Sequence, residues 1–446
     1  AKAAAPSAPA SCRKSTSNVE LRHAGGLTGE SHSIKMKGRS LQGGLFLCPI
    51  RIALALFLKR TNKGSAMGAE VDRSRMTVVL LGVYACMALA KIKPPNEWAQ
   101  THYLFSYDLG ITRRAFFGEI LQQLGFAGLT DAQAHVIAIA LSVLGGVAFT
   151  LWIARNIPAN VTGLGLGLVA VTSFALATFL GNTGYLDGLL MLLAVGALWV
   201  PGKGIGAVAV KCLLCCVGAL IHEAMAGTLA VLVAGQLWLQ GARFAAPLPV
   251  IAAGGVAAVL TLLTPFADEA LARIAAEVDT RALDFNARFI AIEAVVAFRD
   301  GDIPRYATGW EDVTYVFEKS WVLPVALIYI GVLLRWLLSL TDHRAALDRL
   351  VIALVVIGPL GVLLIAYDLS RFSALAILQT YMILALLCRL DTRVKERCAE
   401  IFAPLVLLGL LTANALIAFP TLNPLPNYYD RLPGALLDFG EWSGDK

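Results

Sequence analysis

Charged side chains are scarce in this sequence. They make up 15% of its 446 residues, against roughly 25% in an average soluble domain. Hydrophobic residues reach 57% and the mean hydropathy is +0.69. These values exclude an ordinary water-soluble domain and point to an all-α, polytopic membrane bundle. The eight cysteines, Cys12, Cys48, Cys86, Cys212, Cys215, Cys216, Cys388 and Cys398, fall in no expected external loop, which argues against a disulfide framework. Cys212 and Cys215 form a CxxC inside an apolar helix. With no second CxxC or histidine beside them, they read as small packing residues and not as metal ligands. No internal repeat is found, which weakens an inverted-repeat transporter.

The charge that is present is unevenly placed. The net charge is +6, yet residues 1–66 alone carry about +9, leaving about −3 for the remainder. Nothing in that balance calls for nucleic acid as a partner. Residues 1–66 are rich in Ser, Ala and Gly and lack periodicity, so they are expected to form a basic, disordered segment ahead of the polytopic domain at 67–446. Met67 is favoured as the functional start, the alternatives for residues 1–66 being an organellar transit peptide or a disordered cytoplasmic arm. The run Leu45 to Arg60 is interrupted by Pro49 and Arg51, and suits a membrane surface better than a crossing.

A crossing helix needs about twenty mostly apolar residues. Eleven segments qualify, at roughly 75–92, 132–153, 161–181, 186–200, 205–221, 224–240, 247–265, 321–340, 350–367, 371–388 and 399–419. With the N-terminus inside, the interior turns hold Arg73, Arg75, Arg155, Lys203, Arg243, His343, Arg344, Arg349, Arg389, Arg393, Lys395 and Arg397. That is the positive-inside distribution. Fusing 205–240 into one helix would put RLDTRVKER outside, so two short helices meeting at His222–Glu223 are preferred. Two external loops are long, about 93–130 and about 268–320, and loops of such length usually carry function or disorder.

The ionisable residues on the non-cytoplasmic side are the candidates for chemistry. Asp108, Arg113, Arg114 and Glu119 lie in YDLGITRRAFFGEI, Asp187 follows GNTGYL, His222 and Glu223 lie in LIHEAM, and Asp368 and Arg371 in YDLSRF. Ionisable groups beside hydrocarbon are costly and persist where they do something. A carboxylate with two arginines in one loop can bind a phosphate and keep a base nearby. Asp187 at a helix start is equally explained by the helix dipole, and Asp368 with Arg371 by a local ion pair. An imidazole beside a carboxylate, as at His222–Glu223, suits acid–base work, metal ligation or an anionic leaving group.

With NEWAQTHYLFSYDLGITRRAFFGEI as a first external loop and a helical loop at 268–320, the chain from Met76 onward resembles the GT-C superfamily of integral-membrane glycosyltransferases. The resemblance implies transfer of a sugar from a polyprenyl-phosphate carrier to a glycan, lipid or protein acceptor on the outer side. It implies Asp108 as base, with Arg113, Arg114, His222 and Arg371 at the carrier phosphate; the family's first-loop pair of acids is here a single Asp108. Asp187, Glu223 and Asp368 complete the expected substrate-binding set. No cofactor is assigned, a divalent metal staying open, and the expected partners are the lipid-linked donor, the acceptor and membrane lipids. The chain shows neither a soluble catalytic domain nor a nucleotide-sugar motif, which argues against a cytoplasmic sugar-nucleotide transferase. A bacterial inner membrane, with the site facing the periplasm or exterior, is the expected location. The alternatives are a polysaccharide polymerase or ligase, and a secondary transporter.

Overall fold

The computed structural model describes residues 71–95, 115–126, 129–242, 244–263, 322–362 and 369–418, together with Ala99, Tyr103, Ser106, Tyr107 and Ala276. All of them belong to one unit, Leu45–Lys446. Among the described residues the secondary structure is helical and holds no strand. The expectations for residues 1–66 and for the loop at 268–320 lie outside the described residues, Ala276 apart.

The helices are α1 (Arg73–Lys91), α2 (Ala115–Gln123), α3 (Asp131–Asn156), α4 (Val161–Val171), α5 (Phe174–Gly181), α6 (Asp187–Trp199), α7 (Ile205–Ile221), α8 (Ala224–Gly227), α9 (Leu229–Leu239), α10 (Pro247–Leu263), α11 (Val322–Leu340), α12 (Ala346–Gly361), α13 (Leu369–Leu390), α14 (Thr392–Ile401) and α15 (Pro404–Ala418). Among the described residues, each apolar segment read from the sequence overlaps a helix or a pair of helices. Among the described residues, four stretches are long and apolar enough to cross a membrane: Arg73–Lys91, Ala132–Asn156, Val161–Gly181 and Arg371–Leu390.

Local chemistry sets the boundaries. Thr130 and Gln133 form a reciprocal capping box at the start of α3, satisfying two N–H groups that the first turn leaves open. Asn160 caps α4 by accepting from the Gly163 N–H at 2.8 Å. The segment 161–181, expected as one span, is broken at Thr172–Ser173, where Ser173 caps α5 by accepting from the Leu176 N–H. The segment 224–240 is likewise broken, at Thr228. The last apolar segment begins at Pro404, later than expected, and 392–401 forms the separate, amphipathic α14. Proline has no N–H to give, which suits the first turn of a helix and ends the one before it.

The most enclosed helix is α13, buried at every position from Arg371 to Cys388. It packs against α3, α5, α9, α11 and α12. The tightest crossing is between α3 and α6. A Cβ at Gly188 would lie 2.3 Å from the Leu141 carbonyl oxygen, and one at Gly145 would lie 2.6 Å from that of Gly188. Without a hydrophobic drive between helices in lipid, such small-residue contacts are what let two backbones hold together. This contact fixes the start of α6, and with it Asp187.

Hydrogen bonds sort the helix ends into two layers. In one layer Arg73 caps the end of α3, Arg389 reaches Asn156, Lys203 reaches the carbonyls of Gln240 and Gly241, and His343 and Arg344 bind Asp391. In that layer, too, buried Lys211 donates to the Ala197 carbonyl at 2.5 Å and to Gln236 Oε1 at 2.7 Å, closing the C-terminal end of α6. The opposite layer holds Asp187, His222, Glu223 and Arg371.

Candidate functional site

The turn between α5 and α6 is the anchor of the site. Gly184 has φ +93°, and a Cβ there would meet Pro95 and Ala99 at 2.7 and 2.6 Å. The start of the first loop therefore lies directly on this turn. Thr183 Oγ1 donates to the Lys93 carbonyl, and burial pushes the Lys93 ammonium below its ordinary value. Leu186, the next turn residue but one, is buried with φ 64°. A branched side chain in the left-handed region is strained by roughly 1–2 kcal/mol, and the strain sits immediately before Asp187.

Asp187 opens α6 and is 4% exposed; Arg371, near the start of α13, is 5% exposed. Arg371 Nε donates to Asp187 Oδ2 and Nη2 to Oδ1, each at 2.5 Å, and Nη2 also donates to the Tyr185 carbonyl at 3.2 Å. The pairing is fork to fork, the strongest geometry for these two groups. The guanidinium carbon stands 5.1 Å from the Tyr185 ring centre and 5.6 Å from that of Phe372, within cation–π range. Arg371 was expected to pair with Asp368 or to meet a phosphate; its described carboxylate is Asp187, 184 residues away in sequence.

The second polar element is the corner between α7 and α8. His222 ends α7 and Glu223 precedes α8, as the two-helix reading expected. His222 Nδ1 lies 3.4 Å from Glu223 Oε2 and accepts from the Ala224 N–H at 3.2 Å. An Nδ1 that accepts a backbone N–H places the proton of a neutral ring on Nε2. Ala224 packs in one buried cluster with Val362, Phe372 and Leu375. The His222–Glu223 corner is thereby joined to the start of α13, one residue past Arg371.

The first loop reaches the same end of the bundle. Tyr103 packs edge-on against Phe117 at 5.6 Å. Glu119 accepts from the Tyr107 N–H at 3.0 Å and from Gln123 Nε2 at 2.9 Å, so it orients the loop against α2. Burial, then Glu119 and Cys216 of α7, push the Tyr107 phenol above its ordinary value. Asp108, Arg113, Arg114 and Asp368 lie outside the described residues.

Among the described residues, then, the structure brings Asp187 and Arg371 into contact and sets His222 and Glu223 beside them through Phe372. Sequence reasoning missed Tyr185, Leu186 and Phe372; a Tyr–Leu pair ahead of an aspartate carries no signal of strain or of a cation–π seat. Cys212, Cys215 and Cys216 are free thiols, and no group of three or more metal-ligating side chains occurs among the described residues. A buried pair of thiols, Cys388 and Cys398, meets at 3.3 Å in the opposite layer. No protein-family model, curated protein or solved structure matches this chain.

Proposed function

We propose that the chain is a membrane glycosyltransferase of GT-C-like architecture, with eleven crossings, that moves a sugar from a polyprenyl-phosphate carrier to a glycan, lipid or protein acceptor. The N-terminus is inside, and the site opens to the non-cytoplasmic side of a bacterial inner membrane. The observation that carries this reading is the buried Asp187–Arg371 pair, set beside His222–Glu223 and beneath the start of the first loop. The reaction is an inverting displacement. Asp108 takes or orients the acceptor hydroxyl proton. Arg371, oriented by Asp187, together with Arg113, Arg114 and His222 offsets the negative charge that collects on the departing polyprenyl phosphate. Glu223 stands beside His222, and Asp368 completes the substrate-binding set.

A secondary transporter is the second reading. It draws support from the helix breaks at Thr172–Ser173 and Thr228, since discontinuous helices are how transporters build sites near the bilayer midplane. Gln379, at the middle of α13, is fully buried, and neither of its amide atoms is bonded among the described residues.

The deciding measurement is sugar transfer from a polyprenyl-phosphate donor by the purified chain, compared with Asp108→Asn at equal amounts of folded protein. Asparagine keeps the size and one acceptor oxygen of the carboxylate. Transfer is expected to fall about 100-fold or more, the scale of a lost acid–base group. Near-normal turnover in the variant removes Asp108 from the mechanism. Solute uptake by proteoliposomes without any transfer favours the transporter.

A further inference from the structure

Three arginines converge on the last turn of α3, in the layer opposite Asp187 and Arg371. Arg371 and Arg389 are 18 residues apart on α13, which separates the two ends by about 27 Å. Arg73 donates through Nη1 to the Ala154 carbonyl at 2.8 Å and that of Arg155 at 2.6 Å, and through Nη2 to that of Ile157 at 3.2 Å. Arg389 Nη1 donates to the Asn156 side-chain oxygen at 3.2 Å. Arg155 belongs to the same turn, and all three side chains are exposed.

The partners of this cluster are neutral. None of the three guanidinium groups has a carboxylate partner among the described residues. The nearby Asp391 is taken by His343 and Arg344 at 2.9 Å, and Asp72 by Arg75 at 3.7 Å. The carbonyl end of α3 offers only about half a negative charge. Roughly two and a half positive charges are left over, with exposed Arg393 just beyond the corner from Arg389.

The same turn ends an apolar stripe. Along α3, Val136 (49% exposed) and Leu144 (51% exposed) lead through half-buried Val147 and Leu151 to Arg155 at near-helical spacing. Leu144 and Arg155 lie only about 20° apart around the helix and about 16 Å apart along it. That distance is close to half of the roughly 30 Å hydrocarbon core, the depth of one leaflet. On a crossing helix such a stripe faces acyl chains, so a lipid whose headgroup reaches the arginines keeps its chain beside it. An amphiphile uses both.

We propose that this corner is a binding site for an anionic phospholipid. The phosphodiester is held by Arg155 and Arg389, with Arg73 adding charge behind them, and an acyl chain lies along Leu144, Val147 and Leu151. Forked guanidinium contacts suit a phosphate, and each cation near such a headgroup contributes about 1 kcal/mol. The site is independent of any reaction at the opposite end.

The test is native mass spectrometry of the full chain, titrated with phosphatidylglycerol, phosphatidylcholine or inorganic phosphate. Phosphatidylglycerol is expected to bind and phosphatidylcholine to be lost on activation. Arg155→Gln with Arg389→Gln should weaken phosphatidylglycerol binding about 30-fold, the conversion of roughly 1 kcal/mol for each of two cations. Glutamine at 389 can still reach Asn156, and Arg73 is left in place because it closes α3. Should the double variant fold poorly, the exposed Arg155→Gln alone should weaken binding about fivefold. Equal retention of the two lipids, or unchanged affinity in folded Arg155→Gln, overturns the proposal. So does displacement of phosphatidylglycerol by millimolar phosphate, which would make the cluster a site for free anions.

Discussion

Asp187 and Arg371 show why a buried charge has to be judged with its partner. Bringing both into a site 4–5% exposed is expensive, and their attraction offsets that only because two short bonds, a carbonyl and two aromatic faces surround the guanidinium. Asp187→Asn strands Arg371, and thermal or denaturant unfolding should show a loss of about 3–5 kcal/mol. Asp187→Leu combined with Arg371→Met should recover most of it, because no charge is then left buried. If the single variant is as stable as the parent, the pair is not a structural element of this end. The sequence marked both residues as candidates but had no means of joining them. Arg371 has a nearer aspartate in sequence at 368, and the contact across 184 residues exists only because α6 and α13 meet at one end of the bundle.

At the scale of elements, the informative features are the interruptions. In an unbroken helix the Val169 carbonyl would accept from the Ser173 N–H, but Ser173 turns instead to the Ala170 carbonyl at 3.3 Å. The orphaned oxygen is taken by Asn414 Nδ2 of α15 at 2.9 Å, as an apolar interior demands. Asn414→Leu should therefore cost about 1–3 kcal/mol in unfolding measurements, more than the loss of an ordinary exposed amide. A variant as stable as the parent would mean that the break needs no partner. Apolarity alone predicted one helix over 161–181, since Thr172 and Ser173 are too few to stop it; the packing of α15 made the interruption tolerable.

The corner between α13 and α14 carries a pH dependence. Burial pushes the Asp391 carboxyl up, but hydrogen bonds from His343, Arg344 and the Val394 backbone outweigh it and hold Asp391 below its ordinary value of 3.8. A carboxylate depressed in the folded state adds stability above its unfolded pKa, and that stability is lost as pH falls through the folded value. The stability gap between the parent and Asp391→Asn should accordingly shrink as pH falls below about 4. A gap independent of pH down to 3 would contradict the pairing.

For the molecule as a whole, the decisive property is that the helix ends divide into a basic layer and a candidate-site layer. Single cysteines introduced at Lys203, Arg344 and Arg393 should react with an impermeant maleimide only from the cytoplasmic side. One at Asn182 should react only from the other side. Labelling of all four from one side would overturn the eleven-crossing topology. The sequence by itself determined the helical class and the positions of the apolar segments, because length and hydropathy are local properties that a single segment carries. It also marked Asp187, His222, Glu223 and Arg371 individually, as polar residues out of place in apolar surroundings. Only the tertiary structure decided which of them touch, where the helices break, how Leu186 is strained into the left-handed region, and that three arginines far apart in sequence share one helix end. Those outcomes depend on the crossing of α3 and α6 at Gly145 and Gly188 and on the central burial of α13, and such contacts between distant segments leave no periodicity in the chain.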